Sequence, residues 1–476
     1  MSASAPGLHD RTLKFSVPAV LVTVATAAVA IVLVFAFIPR SGLGPLGSDA
    51  PTASAAPTPS GTPTATADAT ASTTLTPRPT PAETPVARWT GLSWTAGVAP
   101  FAPNSSWISD VVAWGDGFIA AGGTFAADGP GQGTIFSSSD GQHWSVTFQA
   151  ELPDGWSFAH LVRLGDGLLA ISDQRGVSCA PGESPCPPEG FDTTPRLWSS
   201  SNGTDWRQID SPSWRELLQD ALPFDVVGGD AGVVAVIYAG AVLSSTDGHA
   251  WQRTELPADE TAIPLDLTAF EGGFVIVGRD GARDHMSEVV ESPLPPGIGR
   301  PAAWVSANGI DWTTADVEGS VVAGGELREV AAGADGLFAV GIGEPVEVQA
   351  HRPTHGWTSA DGVTWRMVGR LGEGLPAFGG KLLAEGLLLG DGDRMLIFGP
   401  SSTESLSVVG WTSADGVSWE RLTFAGAATD FEFGVWGEAG PKGIRYLTHA
   451  WLVDRGVIAV VYDGDIGFWF GTAIER

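Results

Sequence analysis

Basic residues are scarce in this chain. Lys and Arg number 25 against 54 Asp and Glu, a formal charge of −29 over 476 residues. A surface of that sign does not track a phosphate backbone, which argues against nucleic acid as a partner. It leaves two readings of the charge: solubility, or attraction for cations and basic partners. Methionine is nearly absent at 4 residues, while Gly reaches 63 and Trp 19. That balance points to a turn-rich, aromatic, all-β protein rather than a helical one. Cysteine occurs only as Cys179 and Cys186, within VSCAPGESPCPPEG. A metal site needs two further ligands that this loop lacks. Outside the cytoplasm two close cysteines most simply form a disulfide that staples the loop.

Charge is also missing from residues 15–38, FSVPAVLVTVATAAVAIVLVFAFI. The run is long enough to cross a hydrocarbon core of ~30 Å as a helix. A cleavable signal peptide has a shorter apolar stretch of ~7–15 residues ending at a small-residue site; this run exits into Ile38-Pro39-Arg40. Arg11 and Lys14 precede it, opposed by Asp10, and place residues 1–14 on the cytoplasmic side. Residues 39–87 are mostly Pro, Thr, Ala, Ser and Gly. Such a segment buries too little apolar surface to fold, and its prolines keep it extended as a stalk. At ~3 Å per residue its reach is at most roughly 150 Å. The expected location is therefore the cell membrane, crossed once, with residues 88–476 outside the cytoplasm.

One phrase recurs six times after the stalk: SSDGQHW, SSNGTDW, STDGHAW, SANGIDW, SADGVTW and SADGVSW. Its acidic or amide positions are Asp140, Asn202, Asp247, Asn308, Asp361 and Asp415. Its tryptophans are Trp144, Trp206, Trp251, Trp312, Trp365 and Trp419. Between the copies lie short alternating strands, giving three or four per unit of about 55 residues. The chemistry is that of a turn. Asp or Asn accepts backbone N–H groups, Gly supplies positive φ, and Trp is expected to wedge under the hairpin against the next sheet. These residues read as structural, not catalytic.

The phrase resembles the Asp-box, or BNR repeat, of sialidases and related β-propellers, across roughly residues 88–476. The resemblance implies a propeller with each box between the third and fourth strands of a blade. Six boxes close six blades. The tail after Trp419 holds three more strands and no box, and residues 89–98 include Gly91-Leu92-Ser93-Trp94, which matches the end of a box. The expected fold is a seven-bladed all-β propeller, its seventh blade closed by residues 89–98, with six or eight blades as rivals.

Long insertions fall at 172–196, 281–301 and 343–356, each between a second and a third strand and thus on the face opposite the boxes. A short helix, Ser211 to Leu222, is expected on that loop face, with Ser213 and Glu216 as its capping box. Two candidate constellations follow. In the first, Arg283, Asp284 and His285 of blade 4 meet His351, Arg352 and His355 of blade 5, residue types that hold a ligand or a transition metal. In the second, counting seven residues back from the Gly that opens each second strand gives Asp110, His160, Asp225, Asp266, Glu329 and His449; blade 6 has Leu387 instead. This ring at the channel mouth brings carboxylates together, which raises their pKa values or attracts a divalent cation. No cofactor is required otherwise.

Sialidases of the resembling family use an Arg trio, a Tyr nucleophile paired with Glu, an Asp acid/base and a Tyr/Phe-Arg-Ile-Pro motif. That motif is absent, and no Arg trio can be assigned by spacing. Tyr446 is the one nucleophile candidate on an innermost strand, and Asp225, Asp266 and Glu329 could form a carboxylate pair. With no catalytic residue assigned, the leading expectation is a surface-displayed module that binds a glycan, peptide or envelope protein. A glycoside hydrolase and an envelope assembly factor are the alternatives.

Overall fold

The computed structural model describes residues 89–98 and 106–475, apart from 127–128, 154–155, 175–193, 219–221, 238–239, 259–260, 282–298, 320–324, 343–353, 372–386, 401–406, 427–431, 434–445, 454 and 463–465. The expected membrane helix, the stalk and the Cys179–Cys186 loop lie outside the described residues. Among the described residues no helix is long and apolar enough to cross a membrane.

Seven antiparallel sheets follow one another along the chain. Blade 1 runs Ser106–Trp114, Gly117–Ala126, Gly129–Ser138, Ser145–Glu151. Blade 2 runs Trp156–Leu164, Gly167–Gln174, Arg196–Ser200, Arg207–Ile209, and blade 3 Pro223–Gly229, Gly232–Ile237, Ala241–Ser245, Gln252–Glu255. Blade 4 has Ala262–Phe270, Gly273–Asp280, Arg300–Ser306 and Thr313–Thr314. Blade 5 has Glu326–Gly333, Gly336–Ile342, Thr354–Ser359 and Thr364–Arg370, and blade 6 has Leu387–Gly390, Met395–Pro400, Val408–Ser413 and Glu420–Arg421. Blade 7 takes Tyr446–Val453, Gly456–Tyr462 and Ile466–Glu475, and Trp89–Ala96 as its fourth strand. Each first strand contacts the first strand of the next blade, and blade 7 returns to blade 1, so the innermost strands form a closed ring. The seven-bladed expectation holds, including the strand from residues 89–98.

Among the described residues the core divides into seven clusters, each shared by two consecutive blades. The second strands explain this. In Gly232–Ile237, GVVAVI, every residue is buried. Val233, Ala235 and Ile237 face the cluster shared with blade 2, while Val234 and Val236 face the one shared with blade 4. A strand buried on both faces has no polar position, so the alternation expected of a half-wet strand disappears there.

In all six copies of the repeated turn the Asp or Asn side chain accepts two backbone N–H groups and the Trp indole donates to the box glycine carbonyl, while the Ser hydroxyl accepts the glycine N–H in five, the Ser306 copy excepted. In blade 5, Asp361 Oδ1 accepts the N–H groups of Val363 and Thr364 at 2.8 and 3.0 Å, and Ser359 Oγ accepts the Gly362 N–H at 2.9 Å. The Trp365 indole N–H donates to the Gly362 carbonyl at 3.0 Å. Gly362 has φ 73°, a left-handed conformation that glycine adopts without strain. The box tryptophans pack on the preceding blade rather than the following one: Trp144 stacks on Phe468 of blade 7 at 4.4 Å, and Trp419 meets Phe338 of blade 5 at 5.0 Å. The reason is parity. Trp312 and Trp304, eight residues before it, lie on the same face of blade 4, and both join the cluster shared with blade 3.

Blade 7 has no such turn, yet the register keeps its tryptophan. Thr95 pairs with Phe470 as Gln252, which follows Trp251, pairs with Ser244. Trp94 therefore stands where a box Trp stands, and it is 1% exposed. Instead of turning, residues 89–94 continue beside 471–475 as strand. The closing strand is held on its other side as well, by parallel pairing with Thr423–Gly426.

The expected helix is shorter and capped by a different residue. It spans Pro212–Leu217, and its N-cap is Ser211, whose side chain accepts the Trp214 N–H at 3.2 Å. Ser213 does not cap it. It accepts the Trp251 N–H at 3.0 Å, and Ser211 donates to the His249 carbonyl at 2.6 Å. Trp214 packs against Trp251 at 4.5 Å and donates its indole N–H to the Pro195 carbonyl at 2.7 Å, so the helix bridges the box of blade 3 and the end of the 172–196 insertion of blade 2.

Candidate functional site

The six ring positions are equivalent in the fold. Asp110 pairs with Ala121, His160 with Ile171, Asp225 with Val236, Asp266 with Val277, Glu329 with Val340 and His449 with Val460. Leu387 pairs with Phe398 in the same way. Each of the six lies just after a register shift in its innermost strand, a β-bulge that gives the strand one extra residue. A bulge re-aims the side chain that follows it.

The carboxylates are aimed at the neighbouring blade. Asp110 Oδ2 accepts the Leu161 N–H of blade 2 at 2.9 Å, and Asp225 Oδ2 accepts Leu267 of blade 4 at 2.9 Å. Asp266 Oδ2 accepts Val330 of blade 5 at 2.6 Å, and Glu329 Oε2 accepts Leu388 of blade 6 at 3.2 Å. In every case the donor is the residue just after the next ring position. An innermost strand has one edge without a ladder partner, and its N–H groups need acceptors. The carboxylate of the preceding blade supplies one.

Three of these carboxyls are consecutive, and their electrostatics differ from those of the surface. Burial pushes Asp225 up, against the hydrogen bonds it makes with Asp266 and with the Val226 and Leu267 N–H groups. Burial, then the Asp225 charge, hold Asp266 well above the usual carboxylate range, and Glu329 adds to the repulsion. Burial pushes Glu329 up to about 8 despite the Leu388 N–H and the charge of Arg328. Two carboxyl groups can hydrogen-bond only with a proton between them, so Asp225 and Asp266 titrate as a pair. His160 is buried, and the His449 ring lies nearly parallel to Trp451 at 6.0 Å. Among the described residues no group of three or more His, Cys, Asp or Glu is placed to hold a metal ion.

The loop face carries a second cluster, at the junction of blades 4 and 5. Glu326 lies between two arginines, 2.6 Å from Arg328 Nε and 3.5 Å from Arg279 Nη1. Beside it Arg300 Nη2 meets Asp280 Oδ2 at 2.8 Å, and Asp280 also accepts the Thr261 N–H at 3.1 Å. Arg279 and Asp280 end a second strand, Arg300 opens a third strand, and Glu326 and Arg328 open a first strand, so all five stand at the same end of their blades. His355, near the start of the third strand of blade 5, stands at that end too, its ring 6.0 Å from Trp357. Of the expected loop cluster His355 alone is described; Arg283, Asp284, His285, His351 and Arg352 lie outside the described residues. Tyr446 opens the first strand of blade 7 and pairs with Tyr462.

Sequence reading missed Arg279, Arg300, Glu326 and Arg328. Their signal was position: Arg279 and Arg300 flank the 281–301 insertion, while Glu326 and Arg328 open the first strand of the next blade, far away in the chain.

No protein-family model matches this sequence, and no curated protein matches it. Several solved structures share its shape. The β-propeller domain of the Trilobed protease from Pyrococcus furiosus is 8% identical with a TM-score of 0.43, over 79% of this chain and 96% of that one. A Penicillium chrysogenum alpha-L-arabinanase complexed with arabinobiose is 9% identical with a TM-score of 0.37, over 82% and 99%. A Trypanosoma rangeli sialidase in complex with the inhibitor DANA is 10% identical with a TM-score of 0.37, over 81% and 58%. Likeness at this level concerns the propeller fold alone.

Proposed function

We propose that the protein is a binding module held at the outer face of the cell membrane by residues 15–38 and raised from it by the stalk of residues 39–87. Its ligand, a glycan, a peptide or an envelope protein, is taken by the loop face. The observation that carries this reading is the junction of blades 4 and 5. In a chain with more than twice as many acids as bases, three arginines converge there with two acids and His355 at one end of two adjacent blades. Charged side chains fixed in pairs at the mouth of a rigid scaffold are suited to recognising polar ligands. The strand ends Gln174 and Arg196, Asp280 and Arg300, and Ile342 and Thr354 lie at this same end of their blades. We also assign the six turns to the Asp-box class, on the Ser, Asp/Asn, Gly and Trp hydrogen bonds they share, and the Cys179–Cys186 loop to a disulfide.

Hydrolysis by a carboxylate pair is the second reading, favoured by the burial that raises the carboxyls of blades 3 to 5 above their usual range. Asp225 and Asp266 are each engaged by a backbone N–H of the next blade, Leu267 and Val330, which ties both side chains to the ring. A glycan and peptide array, run beside a panel of chromogenic glycosides, separates the two. A binding module gives array signal without turnover. Turnover abolished by Asp266→Asn supports the hydrolase instead.

A further inference from the structure

We infer that Asp225, Asp266 and Glu329 form a proton-dependent latch that closes the arc from blade 3 to blade 6 and loosens it when the protons leave for solvent. The inference is independent of which ligand the loop face takes. It starts from connectivity. Three carboxyls in successive blades each grip the backbone of the next: Asp225 to Leu267, Asp266 to Val330, Glu329 to Leu388. Among the described residues, no other run of three consecutive ring positions carries carboxyls. Asp110 makes the same grip on Leu161, but its neighbours at the equivalent position are His449 and His160, so it has no carboxyl beside it.

The second step is proton accounting. A neutral carboxyl accepts an N–H through its carbonyl oxygen as well as a carboxylate does in geometry, and it adds a donor. One proton between Asp225 and Asp266 therefore satisfies both grips and links the two groups. Removing it leaves two anions in contact, with Glu329 next in line. Among the described residues, few charged or titratable groups act on the row. Arg328 acts on Glu329, but its guanidinium is already 2.6 Å from Glu326. On the blade 2 side the matching position is His160, and on the blade 6 side it is Leu387, which has no charge to offer.

The sign follows. These groups hold protons more tightly in the folded ring than in the unfolded chain, so their contribution is complete below the ordinary carboxylate range. It is lost as the pH rises from there through about 8, where Glu329 gives up its proton. The loss falls on the contacts between blades, not on the ladders within them.

The test is amide hydrogen exchange on the full-length protein at pH values from about 5 to about 9. Protection at Leu267, Val330 and Leu388 is compared with that at Val236, Val277 and Val340, on the second strands of blades 3 to 5. The latch predicts a fall of about tenfold or more at the first three relative to the others. Asp266→Asn, which keeps an acceptor and a donor but cannot ionise, flattens the profile at Leu267 and Val330; Glu329→Gln does so at Leu388. Protection ratios that stay constant in the wild type, or slopes unchanged in both variants, overturn the inference. Should Asp266→Asn fail to fold, the wild-type profile and Glu329→Gln decide it.

Discussion

The guanidinium of Arg394 lies 4.3 Å from the centre of the Trp89 ring. Arg394 precedes the second strand of blade 6, and Trp89 is the first residue of the strand that closes blade 7. Both side chains are almost fully enclosed, with Arg394 at 11% and Trp89 at 2% exposure. A desolvated cation over an aromatic face contributes about 2 kcal/mol. Arg394→Ala is therefore expected to destabilise the ring by roughly that amount. The effect should appear first as faster amide exchange in Leu92–Thr95, with blades 2 to 4 unchanged. Equal loosening of all blades would contradict a local clamp on the closing strand.

The turns respond to acid in the opposite direction to the latch. The Ala250 and His249 N–H groups hold the Asp247 carboxyl below its usual value, and the Thr364 N–H does the same for Asp361 against partial burial. Groups depressed in this way stabilise the fold above the ordinary carboxylate pKa, and that stabilisation is lost as the pH falls through the folded value. Asn202 and Asn308 occupy the same place without a charge to lose. Thermal melting from about pH 5 downward should show falling stability, and Asp247→Asn with Asp361→Asn should reduce the slope. A slope unchanged in the double variant places the acid sensitivity elsewhere.

Inner strands meet backbone to backbone at glycines, Gly228 against Arg163 and Gly390 against Ala332. A Cβ on Gly228 would lie 2.0 Å from the Arg163 carbonyl oxygen, the contact between blades 2 and 3. Gly228→Ala forces these strands apart and is expected to cost about 1–3 kcal/mol. On Gly467 a Cβ would meet nothing closer than 3.8 Å, and Gly467→Ala should stay within about 0.5 kcal/mol. Chemical denaturation of both variants checks the contrast.

Much of the fold was legible because its determinants are local. The box turn is written in seven consecutive residues, and Trp94 could be matched to a box tryptophan because the closing strand keeps the register of the other six. The ring positions could be found by counting from a glycine because each first strand has the same length to its turn. What their side chains do was not legible. A β-bulge before Asp266 leaves no mark in the sequence, and its target, Val330, is 64 residues away. Nor was the side on which the box tryptophans pack, which depends on strand parity across a blade. The arginine cluster escaped for a related reason: Arg279 and Glu326 belong to different blades and meet only after the ring closes.

The loop-face claim is tested most directly by mapping the ligand that the array selects. Affinity is measured for the wild type, for Arg279→Ala and Arg328→Ala, and for Asp335→Ala in the exposed turn at the opposite end of blade 5. Recognition at the junction of blades 4 and 5 predicts at least about tenfold weaker binding, or ~1.4 kcal/mol, for each arginine variant and no change for Asp335→Ala. Binding that survives both arginine variants and is lost with Asp335→Ala would place the site on the face of the boxes and contradict the account.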